Sequence, residues 1–207
     1  MAPLQVEIWS DVVCPWCYIG KRRFEAAVEQ FGGEVETVWR SFELDPAAPP
    51  VREHTATEHL AAKYGMSVEQ ADASHQQMTE LAAQEGLVYR FDRARGGNSF
   101  AAHQLIHLAK AHGLQDAAKE RLMRAYFTEG VPIGDREALI ALADELGLDA
   151  RAALESGEYA DAVREDEDLA RRIGIQGVPF FVLDRRYGVS GAQPAEILVQ
   201  ALEKACG

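Results

Sequence analysis

Hydrophobic positions along the chain change period several times, and each change marks a boundary between elements. Leu4, Val6 and Ile8 alternate with Gln5, Glu7 and Trp9, the period of two of a strand. Beyond Cys14 the period lengthens. Phe24, Ala27, Val28 and Phe31 recur at the i, i+3, i+4, i+7 spacing of an amphipathic helix, which Gly32-Gly33 ends. Val35 to Leu44, with Val38, Trp39 and Phe42, is β-branched and aromatic enough for a second strand. Strand, helix and strand within about 40 residues form a βαβ unit and predict a parallel pair.

The loop Asp45-Pro46 to Pro49-Pro50 breaks this pattern. From Thr55 to about Gly157 the signals are helical only. Ser67 and Gln70 match a capping box, opening a helix that stops near Gly86. Asn98-Ser99 precedes a helix with Ala101, Ala102, Leu105, Ile106, Leu108 and Ala109, ending at Gly113. Further stripes run through Ala118, Leu122, Ala125 and Tyr126, and through Leu139, Leu142, Ala143 and Leu146. A polar helix over Glu158–Arg172 follows, ended by Gly174. Pro179 to Leu183 reads as a short buried strand, Asp184–Tyr187 as a turn, and Gly188–Ser190 as its antiparallel partner. Ile197, Leu198, Ala201, Leu202 and Ala205 form a closing helix. The prediction is an α/β frame made by residues 1–45 and 158–207, carrying an all-helical insertion over 46–157.

No apolar run approaches the ~20 residues needed to cross a bilayer, so no membrane partner is expected. Acidic residues outnumber basic ones by 33 to 21, a net charge of −12, which disfavours nucleic acid because phosphate binding needs a basic face. The segment after Met1 has neither a basic region nor the apolar core of a leader. If Met1 is the native start, the protein is expected in the cytoplasm, where structural disulfides are rare and a cysteine pair serves catalysis or metal binding.

Three cysteines are present. Cys206, one residue from the end, reads as exposed and incidental. The other two form Cys14-Pro15-Trp16-Cys17 at the strand-to-helix junction. With Cys14 as N-cap, Pro15 takes the first helical position, where its missing N–H costs nothing. The cap side chain then faces the amides of Trp16 and Cys17 and the positive end of the helix dipole. That placement predicts a stabilised thiolate with a pKa below the ordinary cysteine value, hence a nucleophile. Cys17, one turn on, is within disulfide reach and less exposed, a resolving thiol for thiol–disulfide exchange. Zinc needs further ligands. His103 and His107 stand at helical spacing, but Gln104 between them excludes a metalloprotease motif, and their apolar stripe reads as partly buried, hydrogen-bonded histidines. No metal is expected.

The segment from Val6 through Asp11, Cys14 and Cys17 to Gly20 resembles the active-site stretch of DsbA-family thioredoxin-fold proteins, specifically the FrnE-like branch. Asn98-Ser99 with His103, Gly174 through Val178-Pro179 to Val182, and Ser190-Gly191-Ala192-Gln193-Pro194 match it as well. The resemblance implies a thioredoxin-like fold with a large helical insertion and a thiol–disulfide oxidoreductase or disulfide isomerase. Cys14 and Cys17 would be its catalytic pair, and Pro15, Trp16, Val178 and Pro179 would contact substrate. It also implies a cis Val178–Pro179 peptide facing the cysteines, with the Val178 backbone pairing to substrate by strand addition. Partners are expected to be protein or small-molecule thiols and disulfides. No cofactor is implied beyond glutathione as a candidate redox partner.

Two departures stand out. Many relatives carry an acid six residues before the first cysteine, where this chain has Ile8. Alternation puts Glu7 on the other face, and Asp11 reads as a loop-capping residue. Lys21, Arg22 and Arg23 read as a solvated helix face. Kappa-class glutathione transferases and 2-hydroxychromene-2-carboxylate isomerases share the fold but carry serine where Cys14 stands and an acidic residue at the final helix start, where this chain has Gln193-Pro194. A glutathione-dependent isomerase or transferase acting on a small aromatic substrate is therefore the alternative, and a non-enzymatic binding module a third reading.

Overall fold

The computed structural model describes residues 3–207. In chain order the elements are β1 (Leu4–Ser10), α1 (Pro15–Phe31), β2 (Val35–Ser41), α2 (Ala56–Tyr64), α3 (Val68–Gln84), α4 (Phe100–Ala111) and α5 (Gln115–Arg124). A π-helical turn (Ala125–Glu129), α6 (Arg136–Asp144), α7 (Arg151–Ser156), α8 (Ala160–Arg172), β3 (Phe180–Leu183), β4 (Tyr187–Ser190) and α9 (Ala195–Cys206) complete the chain. They separate into two compact units, Met1–Leu44 with Val163–Gly207, and Asp45–Ala162.

The first unit is built on a four-stranded sheet in the order β2-β1-β3-β4. β1 runs parallel to β2 and antiparallel to β3, and β3 antiparallel to β4. This is the mixed sheet of a thioredoxin-like domain. Because β1 is central, both of its faces are covered. Val6 and Ile8, opposite Leu183 and Phe181, are fully buried; on this side Phe181 meets Phe24 of α1 with ring centroids 5.5 Å apart. On the other face Trp9 packs with Ala170 and Ile175, and its indole Nε1 donates to the Asp166 carbonyl of α8 at 2.9 Å.

Burial on both faces leaves Glu7 inside, where an isolated carboxylate is costly. Arg40 and Arg185 donate to it, and Arg40 also donates to Asp166 at 2.8 Å. The β3–β4 turn brings Arg185 there through left-handed backbone at Asp184 (φ 48°) and Arg185 (φ 54°), a conformation that twists correctly for a tight hairpin.

The helical unit carries the expected capping box at Ser67 and Gln70. Two local expectations fail, for β2 and for Lys21, and the segment between α3 and α4 takes a form the sequence did not announce. β2 ends at Ser41, because the chain leaves the ladder there and the Leu44 N–H turns to a side chain, Asp11 Oδ2 at 2.8 Å. Residues 87–97 are not helical: Leu87, Tyr89 and Phe91 alternate inward, and Tyr89 and Phe91 stack on Phe127 and His75 at centroid distances of 4.5 and 3.9 Å. Their period is that of extended chain held by aromatic packing rather than by a ladder. Lys21 is not solvated. It is 2% exposed, pairs with Glu25, and lies 5.9 Å from the Trp39 ring of β2.

Candidate active site

The turn that carries the cysteines is held by Asp11. Its buried side chain accepts from the Leu44 N–H (2.8 Å) and the Val13 N–H (3.4 Å), and its carbonyl accepts from the Cys14 N–H (3.3 Å). The loop-capping role read from the sequence is therefore what Asp11 does. Cys14 takes the extended backbone of an N-cap (φ −86°, ψ 115°), with Pro15 directly after it. Both thiols are free and buried, Cys14 at 4% and Cys17 at 1% exposure, while Trp16 between them is 41% exposed.

Sequence reasoning places a cradled thiolate at Cys14, and here the structure differs. The Cys14 side chain makes no capping hydrogen bond. Its Sγ instead donates to the Val178 carbonyl at 3.7 Å, across the Val178–Pro179 peptide bond, which is cis. The hydrogen bond with the Cys17 thiol, then burial, push the Cys14 thiol well above its ordinary value. The Cys17 charge and, least, that of Asp11 push the same way, against the pull of the Cys17 N–H. A sulfur turned toward a carbonyl is held as a thiol, because a hydrogen bond made by the neutral form disfavours the charged one.

Of the six residues expected at the site, Cys14, Cys17, Val178 and Pro179 come together by these contacts. Pro15 and Trp16 extend from them along the first turn of α1, Pro15 half-buried and Trp16 toward solvent. Ile8 is fully buried. Glu7 stays on the far face of the sheet, committed to Arg40 and Arg185. His103 and His107 lie buried on α4 in the helical unit. Among the described residues no group of three histidine, cysteine or acidic side chains could hold a metal ion, and no helix is long and apolar enough to cross a membrane.

One cluster escaped the sequence. Just past β2, Glu43 faces Glu167 of α8, and Arg164 donates to both at 2.9 and 2.8 Å. Burial, then the Glu167 charge, raise the Glu43 carboxyl to about 7 against the pull of Arg164. The only signal was a charged residue between Phe42 and Leu44, too slight to pick out.

The model of the DSBA-like thioredoxin domain matches residues 5–203. The chain belongs to this family. A probable DsbA oxidoreductase from Streptomyces coelicolor, SCO1869, superposes with a TM-score of 0.91 at 47% identity, covering 99% of this chain and 90% of that one. The uncharacterized protein YwbO of Bacillus subtilis is 29% identical over 214 residues, 96% of each chain. The cytosolic disulfide reductase DsbM from Pseudomonas aeruginosa, solved with GSH, has a TM-score of 0.68 at 22% identity, covering 98% of this chain and 99% of that one. At that identity the likeness shows the shared fold.

Proposed function

We propose that this thiol–disulfide oxidoreductase of the DsbA family works through Cys14 as nucleophile, Cys17 as resolving thiol and Val178–Pro179 as the docking loop. On the residues that match, we place it in the FrnE-like branch. The observation that carries the reading is the Cys14 sulfur lying 3.7 Å from the Val178 carbonyl, beside a cis proline.

The chemistry follows from that contact. Val178 precedes β3, so its amide and carbonyl lie outside the strand ladder. A substrate in extended conformation pairs its backbone there, which gives affinity with little sequence selectivity. When Cys14 loses its proton it can no longer donate to Val178, and the carbonyl is released to accept from a substrate N–H. The thiolate attacks one substrate sulfur; the substrate S–S bond breaks, and the departing sulfur takes the electron pair and a proton. Cys17, deprotonated in turn, attacks Cys14 in the mixed disulfide and expels the second substrate thiol. Two electrons have moved from the dithiol to the substrate, leaving a Cys14–Cys17 disulfide. Two equivalents of a low-molecular-weight thiol return the pair to its reduced form, becoming a disulfide themselves. Glutathione is our candidate for that thiol.

The direction proposed is reduction, or isomerisation when the substrate's freed thiol resolves the intermediate instead. Strongly oxidising dithiols are those whose reduced form is stabilised as a thiolate. Cys14 is held as a thiol, so the reduced pair gives up electrons readily. That direction suits a cytoplasmic setting.

The test is reduction of a peptide disulfide by purified protein with glutathione as electron source. Cys14→Ser is expected to abolish turnover, and Cys17→Ser to accumulate mixed disulfides visible by mass spectrometry. Full activity in Cys14→Ser ends the proposal. Turnover of an aromatic acid that needs glutathione and survives Cys17→Ser would favour the isomerase alternative.

A further inference from the structure

Gly20 lies inside α1, where glycine is the poorest helix former after proline. Its place is explained by what it touches. A Cβ there would sit 2.9 Å from Pro179 Cγ and 3.5 Å from both Pro179 Cβ and Ala192 Cβ. The helix thus lies directly against the proline ring of the docking loop. Two hydrogen bonds close the same junction: Arg23 of α1 donates to the Ala192 carbonyl at 2.7 Å, and the Gly191 N–H donates to the Pro179 carbonyl at 2.8 Å.

We propose that Gly20, with Arg23, is a positioning element that sets the height of Val178–Pro179 over the dithiol and so selects disulfides carried on an extended peptide backbone. The inference rests on the docking role given above to Val178. Cys14 and Gly20 belong to one rigid element, the start of α1, and Val178 is bonded to Pro179. Any group that lifts Pro179 off Gly20 therefore lifts the Val178 carbonyl off the Cys14 sulfur. Carbon atoms rest about 3.5–4.0 Å apart, so a methyl at Gly20 requires a displacement of roughly 0.6–1 Å. The sulfurs stay on their helix while the backbone pairing surface moves. A substrate lacking a peptide backbone never used that surface.

The experiment compares kcat/KM for a linear peptide disulfide and for bis(2-hydroxyethyl) disulfide, with glutathione as electron source, in wild type, Gly20→Ala and Arg23→Gln. A misplacement near 1 Å costs on the order of tenfold to a hundredfold. We expect Gly20→Ala to lose that much with the peptide, mainly through KM, and far less with the hydroxyethyl compound. Arg23→Gln, which leaves the helix packing untouched, should shift the ratio the same way and stands as the test if Gly20→Ala does not fold. An unchanged ratio in well-folded variants overturns the inference. So does a parallel loss with both substrates, which would mean that Gly20 acts on the thiols rather than on the pairing surface. Failure of the docking reading itself would look different: wild type would reduce the two disulfides without preference, or Cys14→Ser would remain active.

Discussion

Glu43→Gln should remove most of a pH dependence that the Glu43–Glu167 pair builds into the thioredoxin-like unit. In the folded chain the Glu43 carboxyl holds its proton up to about 7, against an ordinary value of 4.5, because it is buried and faces Glu167. Between those values the folded state binds more protons than the unfolded one, so stability falls as pH rises. The contribution is complete below pH 4.5 and lost as pH climbs through 7. At about 1.4 kcal/mol per pH unit the ceiling is roughly 3.4 kcal/mol. Arg164 offsets the repulsion and is half exposed, and solvent screening reduces the figure to about 1–2 kcal/mol. Glutamine is nearly isosteric with the protonated acid: its carbonyl oxygen still accepts from Arg164 and its amide donates to Glu167. Urea unfolding at pH 5 and pH 8 measures the effect. The two proteins should match at pH 5, and the variant should be the more stable by about 1–2 kcal/mol at pH 8. A variant that keeps the full wild-type slope, or a wild type whose stability is flat across this range, refutes the reasoning.

Alkylation of Cys14 by iodoacetamide should be slow at pH 7 and still rising beyond pH 9, since the hydrogen bond with the Cys17 thiol and burial hold the thiol above its ordinary value; a plateau by pH 7 would contradict that reasoning. Asp11→Asn removes a charge that opposes the thiolate, so alkylation at neutral pH should speed up. Losing charged acceptors for Leu44 and Val13 should lower stability by about 1–3 kcal/mol in chemical denaturation. Phe181→Ala empties the space against Phe24 beneath β1, at a cost of about 3–5 kcal/mol read from the urea midpoint.

The frame of the molecule was legible because its signals are local. The alternation of Leu4, Val6 and Ile8, the stripe ending at Gly32 and the capping box at Ser67 each depend on residues within a turn or two. The dithiol and the role of Asp11 were legible for the same reason. What escaped depends on partners far along the chain. The Cys14 sulfur is turned by a carbonyl 164 residues away, which no reading of the helix start reveals. Lys21 belongs to a polar triplet by sequence, and only Trp39 on β2 takes it out of water. Glu43 and Glu167 meet through tertiary packing alone. Tyr89 and Phe91 fold as extended chain because rings of other elements receive them, an outcome that helix-rich flanks on both sides conceal.

The insertion of Asp45–Ala162 into the sheet-bearing unit has a consequence for biosynthesis. β1 and the cysteines leave the ribosome first, yet their partners on β3 and the Val178 carbonyl come some 160 residues later, on the order of ten to thirty seconds at ordinary elongation rates. Through that interval the Cys14 sulfur is without the Val178 carbonyl that accepts from it in the folded chain. The setting of the cysteines is therefore completed only after the sheet has closed on β1.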